Sequence, residues 1–257
     1  MQTEKMDISA VIITYNEEGN IRRCLESLRW AREIVVIDSH STDKTVEIAR
    51  EYTDKVFLHP FEGYVQQKNY ALERASLDWV FSVDADEVVT AVLWERIRTL
   101  GTQEKESYDG FTVNRLSQFS GKWIRHCGWY PDKKLRVFRR DKGRWTGDDL
   151  HEKVRVEGKV TDLNADLLHY AYENLAANLN KIQRYSTIFA EAQYKRGRRA
   201  SCFDLLMRPL AKFFKAYILK RGFLDGRHGF ILCSAATFYV FLKYAKLWEL
   251  QRKGDEG

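Results

Sequence analysis

The sequence has few of the features that mark a metal-stapled, disulfide-bonded or secreted protein. Its four cysteines, Cys24, Cys127, Cys202 and Cys233, show no CxxC spacing, so neither a zinc site nor a disulfide framework is expected. It has only three prolines and is 44% hydrophobic, which indicates a globular rather than a disordered chain. Polar residues 1–7 lead straight into an apolar run, which predicts a reduced, cytoplasmic protein without a signal peptide.

Two common nucleotide-binding loops are missing as well. The chain contains neither the GxGxxG pattern of dinucleotide-binding folds nor the GxxxxGK[ST] phosphate loop. A nucleotide bound by this protein would therefore have to be held by carboxylates and a metal ion rather than by a glycine-rich loop.

Apolar runs alternate with helical patterns through the first part of the chain. Strands are expected over residues 8–13, 34–37, 56–58 and 79–83. Helices are expected after Asn16 and Thr42, each a candidate N-cap, and over residues 66–75. The first of these helices would bury Ile21, Cys24, Leu25 and Leu28. This alternation predicts an α/β fold with a doubly wound, mostly parallel sheet.

Acidic residues follow two of the predicted strands. Asp38 ends the second strand, and Asp84 and Asp86 end the strand at 79–83. Residues two apart on an extended segment point to the same side, so Asp84 and Asp86 can face one ligand. Ligands of open α/β sheets gather beyond the carboxyl ends of the strands. The pattern therefore predicts a metal-assisted phosphate site, against the alternative of a solvated turn.

Three motifs in this order resemble family-2 inverting glycosyltransferases with the GT-A fold. They are VIITYNE at 11–17, VVIDSHSTD at 35–43 and SVDADE at 82–87. Further motifs resemble one branch of that family, the lipopolysaccharide core β-1,4-glucosyltransferases. These are GWYPD at 128–132, LRVFRR at 135–140, HEK at 151–153 and GFLDG at 222–226.

The resemblance implies a donor site for a UDP-sugar with Mg²⁺ or Mn²⁺. The residues implied to line the nucleotide sugar are Thr14, Tyr15, Asn16, Glu17, Asp38, Lys68 and Asp84. Asp86 would ligate the metal, with Asp84 and His169 as further ligands. The alternatives are a solvated helix face for Lys68 and a buried structural role for His169.

Inverting transfer requires one general base. The resemblance assigns this role to Glu152, with Asp149 as the alternative and a structural role for both acids as the third possibility. His151 is expected to be a positioning or core histidine. An acceptor site is expected at Trp129, Tyr130, Asp132 and Arg136, where aromatic faces suit a sugar ring and Arg136 suits a phosphate. Aromatic residues in such places can equally belong to the core.

The C-terminal part is basic and helical. Residues 181–253 carry 16 Lys and Arg against four acids, a net of +12, so the rest of the +6 chain carries −6. Amphipathic helices are expected from Leu175 to Phe189 and from Phe203 to Lys220, where Pro209 would kink the helix or mark its first turn. The apolar run 230–242 is short of the ~20 residues that span a bilayer. Attachment to a membrane surface and a homo-oligomer interface both fit this segment.

Together these features predict a catalytic domain at 1–170 and a helical extension at 171–257. The catalytic domain would comprise a nucleotide-binding half (1–100) and an acceptor half (101–170). The implied function is transfer of a hexose to an inner-core sugar of lipopolysaccharide or a related glycolipid. The resemblance to the glucosyltransferase branch implies that the hexose is glucose. The implied location is the inner face of the cytoplasmic membrane. One alternative is a polyprenyl-phosphate sugar transferase of the same fold. A nucleic-acid-binding protein is disfavoured, because the carboxylate motifs would then have no role.

Overall fold

The chain divides into two compact units. The computed structural model describes residues 5–100, 102–147 and 152–255. The first unit holds the described residues of Met1–Arg115 and Asp132–Tyr170, and the second those of Leu116–Pro131 and Ala171–Gly257. Residues 116–131, expected in the acceptor half of the catalytic domain, therefore group with the C-terminal helices.

The first unit is built on a mixed β-sheet. The strands of the described chain are β1 (Met6–Thr14), β2 (Ala31–Asp38), β3 (Val56–Leu58), β4 (Trp79–Asp84), β5 (Glu87–Val89), β6 (Gly110–Phe119), β7 (Lys122–Trp123), β8 (Asp132–Arg139), β9 (Gly143–Thr146), β10 (Lys153–Val156) and β11 (Val160–Tyr172). The main sheet has the order β3-β2-β1-β4-β8-β6-β11-β5, with β7 paired to β6 and a separate β9–β10 ribbon. Strands β3, β2, β1 and β4 are parallel, whereas β8 runs antiparallel to β4. The predicted parallel sheet is thus confined to these four strands.

Helices flank the parallel strands and make up most of the second unit. In the first unit they are α1 (Ile21–Ser27), α2 (Thr45–Arg50), α3 (Tyr64–Arg74), α4 (Ala91–Arg98) and α5 (Thr102–Ser107). In the second they are α6 (Leu175–Lys195), α7 (Cys202–Phe214) and α8 (Gly226–Asp255). A π-helical segment, Lys215–Leu219, continues α7, and a short 3₁₀ helix, Gly222–Asp225, precedes α8.

Both predicted N-caps lie outside the helices they were expected to cap. Helix α1 begins after Asn20 and α2 begins after Lys44, and neither of these residues makes a side-chain cap bond. Asn16 instead adopts a left-handed conformation, with φ of 53°. Its side-chain oxygen accepts the N–H of Thr42 at 2.8 Å. The two polar residues therefore join the loops after β1 and β2 rather than starting helices.

The core of the first unit lies on both faces of the parallel strands. The predicted α1 face is confirmed, because Ile21, Cys24, Leu25 and Leu28 are fully buried in it. The opposite face of the sheet packs against α3 and Trp145. Strands buried on both faces read as continuous apolar runs, which is why local sequence located them well.

The second unit packs α6 and α7 against α8. Phe189 of α6 meets Tyr244 of α8 with ring centroids 5.8 Å apart. The predicted amphipathic stripe of α6 is wrong at its start, where Leu175 and Leu179 are exposed. Pro209 lies inside α7, on its buried face.

Helix α8 is longer than the apolar run that predicted it. In the described chain, Gly222–Arg252 is a stretch long and apolar enough to cross a membrane by length and composition. This is weak support for a span, since core helices of soluble proteins pass the same test.

A buried carboxylate joins three segments beneath the sheet. Glu33 on β2 accepts hydrogen bonds from Ser9, from Lys55, and from the backbone and hydroxyl of Ser76 at 2.8 and 2.7 Å. Burial alone raises the pKa of Glu33, but the bonds from Lys55, Ser76 and Ser9 outweigh it and lower the pKa to about 2. A pKa below the unfolded value means that the ionised form stabilises the fold.

We expect Glu33→Gln to lower the free energy of unfolding by about 2 kcal/mol at pH 7. The stabilisation by Glu33 is complete above pH 4.5 and is lost as the pH falls towards 2, so the wild type and the variant should converge in acid. Urea unfolding at pH 7 and pH 3 measures both values. Glu73→Gln, at an exposed position of α3, is the control and should change neither. A constant difference at the two pH values would contradict this role.

Candidate active site

Three parallel strands end at one edge of the sheet and place acidic and hydroxyl groups there. Thr14 ends β1 opposite Asp38 of β2, and Ile13 of β1 is opposite Asp84 of β4. The register confirms that the carboxyl ends of the three strands meet, as expected for a ligand site in a sheet of this kind.

The loops after β1 and β2 are tied to each other around Asp38. The buried Asp38 carboxylate accepts the N–H of Ser41 at 2.7 Å and also its hydroxyl. The Ser41 hydroxyl oxygen accepts the N–H of Asn16 at 2.8 Å. Thr14, the last residue of β1, is buried, and among the described residues its hydroxyl has no hydrogen-bond partner. A buried polar atom without a partner is a position where a bound polar ligand can complete the bonding.

A cluster of four charged side chains lies at the end of β4. Asp84 receives Arg136 of β8 at 2.8 Å and Lys68 of α3 at 3.1 Å. The same guanidinium bonds to Glu87, which is fully buried, and Glu87 also accepts the N–H of Asp84 at 3.1 Å. Because buried charges need partners, the two cations and two acids form one unit.

The cluster separates the proton affinities of its two acids. Burial raises the pKa of Asp84, but Arg136 and Lys68 outweigh it and hold the pKa well below its usual range. Burial raises the pKa of Glu87, and the negative Asp84 adds to that rise while Arg136 opposes it. Asp84 is therefore the ionised acid facing the edge.

Helix α3 contributes a polar face that sequence reasoning largely missed. The Asn69 amide bonds both the N–H and the carbonyl of Trp145, at 3.0 Å each. Lys68 lies 4.3 Å from the centre of the Trp145 ring. The buried Gln67 donates to the hydroxyl of Ser39 at 3.0 Å and contacts His59 at 2.8 Å. The run of four polar residues, Gln66 to Asn69, ahead of the apolar Ala71 and Leu72 was the available signal.

The predicted base lies beside the same lysine. Glu152 is 3.5 Å from Nζ of Lys68, the same atom that lies 3.1 Å from Asp84. Lys68 is only 5% exposed, so a solvated helix face is wrong for this residue. Asp149 and His151 lie outside the described residues.

The predicted metal ligands divide into two groups. His169 Nε2 is 3.2 Å from Oδ2 of Asp86, because β11 pairs with β5 and sets His169 opposite Glu87. Asp84 instead faces Lys68 and Arg136. Within the described ranges, no cluster of three or more His, Cys, Asp or Glu is arranged to hold a metal ion. One carboxylate and one imidazole fit a cation that takes its other ligands from a diphosphate.

Glu17 extends the negative potential towards Asp86. Burial raises the pKa of Glu17, the hydrogen bond from Asn20 lowers it, and the neighbouring Asp86 raises it again. A cation near Asp86 would offset this repulsion. Tyr15, in the same loop, is 57% exposed, as a residue that stacks on a ligand requires.

The residues expected to bind an acceptor do not share one environment. In the first unit, Arg136 is buried on two acids, and Asp132 pairs with Arg115 at 2.8 Å. In the second unit, Trp129 lies 5.9 Å from the Tyr172 ring, and Arg125 lies over Tyr130. Arg136 is thus an internal partner of the acids, and the acceptor contacts of all four residues stay predictions.

The comparisons with known proteins decide the family. The profile described as Glycosyl transferase family 2 matches residues 9–155. The chain belongs to this family. It is 33% identical to the lipopolysaccharide core biosynthesis glycosyltransferase LpsC of Rhizobium meliloti, over 95% of this chain and 93% of that protein. It is 32% identical to an uncharacterized glycosyltransferase of Rickettsia typhi, over 96% of this chain and 88% of that one.

A solved structure supports the fold of this family-2 glycosyltransferase. The mannosyltransferase PcManGT of Pyrobaculum calidifontis superposes with a TM-score of 0.53 at 15% identity, covering 96% of this chain and 88% of that one. The predicted GT-A fold with a C-terminal helical region is confirmed, with the sheet mixed rather than mostly parallel.

We expect Arg136→Met to lower the free energy of unfolding by about 3–5 kcal/mol, because it leaves Asp84 and Glu87 without their buried partner. Adding Glu87→Gln should recover part of this loss, since the amide needs no countercharge, so the two effects will not add. Urea unfolding of the single and double variants measures the coupling.

Lys133→Met on the same strand is the control. Lys133 also pairs with an acid, Asp162, but 58% of its side chain is exposed. It should cost less than about 1 kcal/mol. Equal losses in Lys133→Met and Arg136→Met would contradict a special role for the buried cluster.

Proposed function

We propose that this family-2 glycosyltransferase moves a hexose, glucose in the simplest case, from a UDP-sugar to a sugar of the lipopolysaccharide inner core or a related glycolipid, with inversion. The observation that carries the proposal is the convergence of Asp84, Lys68 and Glu152 at the carboxyl edge of the sheet, with the Asp86–His169 pair two residues beyond Asp84. The similarity to LpsC over almost the whole length of both chains supports the acceptor class.

On this proposal the loops after β1 and β2 hold the nucleoside. Asp38 and Asn16 fix the loop geometry through Ser41 and Thr42, and the partnerless Thr14 hydroxyl completes its bonding with the nucleotide. Asp84, kept ionised by Arg136 and Lys68, accepts a hydroxyl of the ribose. Tyr15 and Glu17 border the base and ribose.

Asp86 and His169 would hold Mg²⁺ or Mn²⁺. When bound, the cation would neutralise the diphosphate, whose negative charge grows as the bond to the sugar breaks. Lys68 adds a second positive charge near the leaving group. PcManGT was solved with GDP-Man and Mn²⁺, and a nucleotide sugar with a divalent cation is our proposal for this chain.

Glu152 would act as the general base. It takes the proton from the acceptor hydroxyl while that oxygen bonds to the anomeric carbon. The bond from that carbon to the diphosphate oxygen breaks on the opposite face, and the diphosphate leaves with the electron pair. The ammonium of Lys68 lies 3.5 Å from the Glu152 carboxylate and holds it in place by charge attraction. Asp149 is the alternative base.

The acceptor and the location of the enzyme are further parts of this proposal. Trp129 and Tyr130 in the second unit, and Asp132 and Arg136 in the first, are each retained as separate candidates for acceptor binding. A cytoplasmic, membrane-peripheral location follows from a glycolipid acceptor. Transfer to a polyprenyl phosphate is the second candidate, for which the apolar stretch Gly222–Arg252 is the supporting observation. Assays with heptose-terminated lipopolysaccharide and with a polyprenyl phosphate separate the two acceptors.

We expect Glu152→Gln to lower kcat for glucosyl transfer by about 10²–10⁴-fold while leaving KM for UDP-glucose nearly unchanged. The amide cannot take the proton, but it occupies the same space beside Lys68. Transfer of radiolabelled glucose to heptose-terminated lipopolysaccharide measures both constants.

Glu157→Gln, an exposed position on the same segment, is the matched control and should keep full activity. If Glu152→Gln retains activity and Asp149→Asn loses it, the base is Asp149. If no sugar nucleotide supports transfer to either acceptor, the proposed reaction is wrong.

A further inference from the structure

A basic cleft lies between α7 and α8 in the second unit. It has a volume of about 340 Å³ and is lined by Arg208, Ala211, Lys212, Lys215, Val240, Lys243 and Tyr244. Four of these residues are cations, and the rest are apolar or aromatic. The cleft therefore combines positive charge with apolar lining residues.

The positive charge of the cleft is nearly unopposed. Asp204 is the acid that pairs with Arg208, and in the described chain Lys212, Lys215 and Lys243 have no ion pair. Burial lowers the pKa of Lys243, and Arg198, Arg208 and Lys212 lower it further by repulsion. The Lys243 ammonium lies 3.7 Å from the centre of the Phe189 ring and 5.2 Å from the centre of the Tyr239 ring. Both are favourable cation–π contacts. An anion bound in the cleft would reduce the repulsion among these cations, of which Arg208 has an acidic partner.

The cations follow the spacing of the helix that carries them. Positions 208, 212 and 215 are four and three apart on α7 and its π-helical continuation, so they lie along one side. Lys243 reaches the same cleft from α8. An anion entering the cleft would therefore meet positive groups from two helices, which a flat, solvated helix face does not provide.

The same helix also leaves an apolar stripe exposed on another of its faces. The stripe comprises Phe203, Leu206, Met207, Leu210 and Phe214, all 48–63% exposed. Their spacing of three and four residues puts them on one face of α7. The buried face of the helix is a different one, marked by Asp204 and Pro209. Exposed leucines and phenylalanines in a continuous row indicate an interaction surface.

We propose that the α7–α8 cleft binds the phosphate of an anionic lipid while the apolar stripe of α7 lies in the acyl region of the bilayer surface. Apolar contact with acyl chains and charge contact with a headgroup phosphate are the two interactions of a helix lying in a membrane interface. A soluble phosphate would account for the cations but would leave the stripe uncovered, and a nucleic acid would do the same. The site deepens the proposed peripheral location and does not depend on the reaction catalysed.

The test is flotation of the full chain with vesicles of phosphatidylcholine alone or with 30 mol% phosphatidylglycerol. We expect binding to the anionic vesicles that weakens with salt. Lys212→Gln/Lys243→Gln should reduce the partition coefficient about 30-fold, because each cation near an anionic surface contributes about a factor of five. Leu206→Gln/Leu210→Gln should reduce binding to the same vesicles without changing the charge.

Lys195→Gln/Arg196→Gln is the matched control, since it removes two exposed charges of the same unit outside the cleft. It should retain most of the binding. Equal losses in both charge variants, or no preference of the wild type for anionic vesicles, would overturn the site. So would wild-type binding of inorganic phosphate or of duplex RNA more tightly than of the anionic vesicles.

Thermal unfolding of each variant shows whether it is folded, and UDP binding followed by tryptophan fluorescence shows whether the donor site is intact. A wild type that floats with anionic vesicles but binds no nucleotide would contradict the proposed reaction and leave the lipid site standing.

Discussion

The candidate site depends on one buried guanidinium. Arg136 of β8 is 3% exposed and lies between Asp84 and Glu87, so it compensates two carboxylates that could not be buried together without it. The Arg136–Asp84 ion pair fixes the end of β4 against β8. Strand β8 is the antiparallel neighbour of β4 and lies outside the parallel part of the sheet. With Asp84 held from one side, Lys68 can approach from the other and reach Glu152. The ion pairs that stabilise the fold therefore also position Lys68 and Glu152, which are proposed to take part in the reaction.

Helix α3 connects Asp84 to the second carboxylate, Glu152, through Lys68. Asn69 clamps the backbone of Trp145 on β9, and Lys68 lies over the Trp145 ring. Strand β9 pairs with β10, which begins at Lys153, next to Glu152. The distance between Asp84 and the proposed base is thus set by one helix, one small ribbon and one lysine. Preorganisation of this kind reduces the reorganisation that a charged transition state requires.

Local sequence was sufficient for features that depend on neighbours along the chain. The apolar runs located β1 to β4, and the acids that follow them met at one edge because parallel strands share their carboxyl ends. His169 and Asp86 are 83 residues apart in sequence, and their contact depends on β11 lying beside β5. Local residue spacing does not predict this strand pairing. Glu87 was visible in the motif, but its role required knowledge that Arg136 enters from β8. Leu175 and Leu179 failed as core residues because spacing defines a helical stripe without telling which face α8 covers.

The central claim is that this edge binds a nucleoside diphosphate together with a divalent cation. Calorimetric titration of UDP with and without Mn²⁺, on the wild type and on Asp86→Ala, tests it most directly. The account predicts Mn²⁺-dependent binding by the wild type that is lost in Asp86→Ala, because the proposed site holds the cation with Asp86 and its neighbour His169. Failure of the wild type to bind UDP under either condition, or equal Mn²⁺-dependent binding by Asp86→Ala, would contradict it.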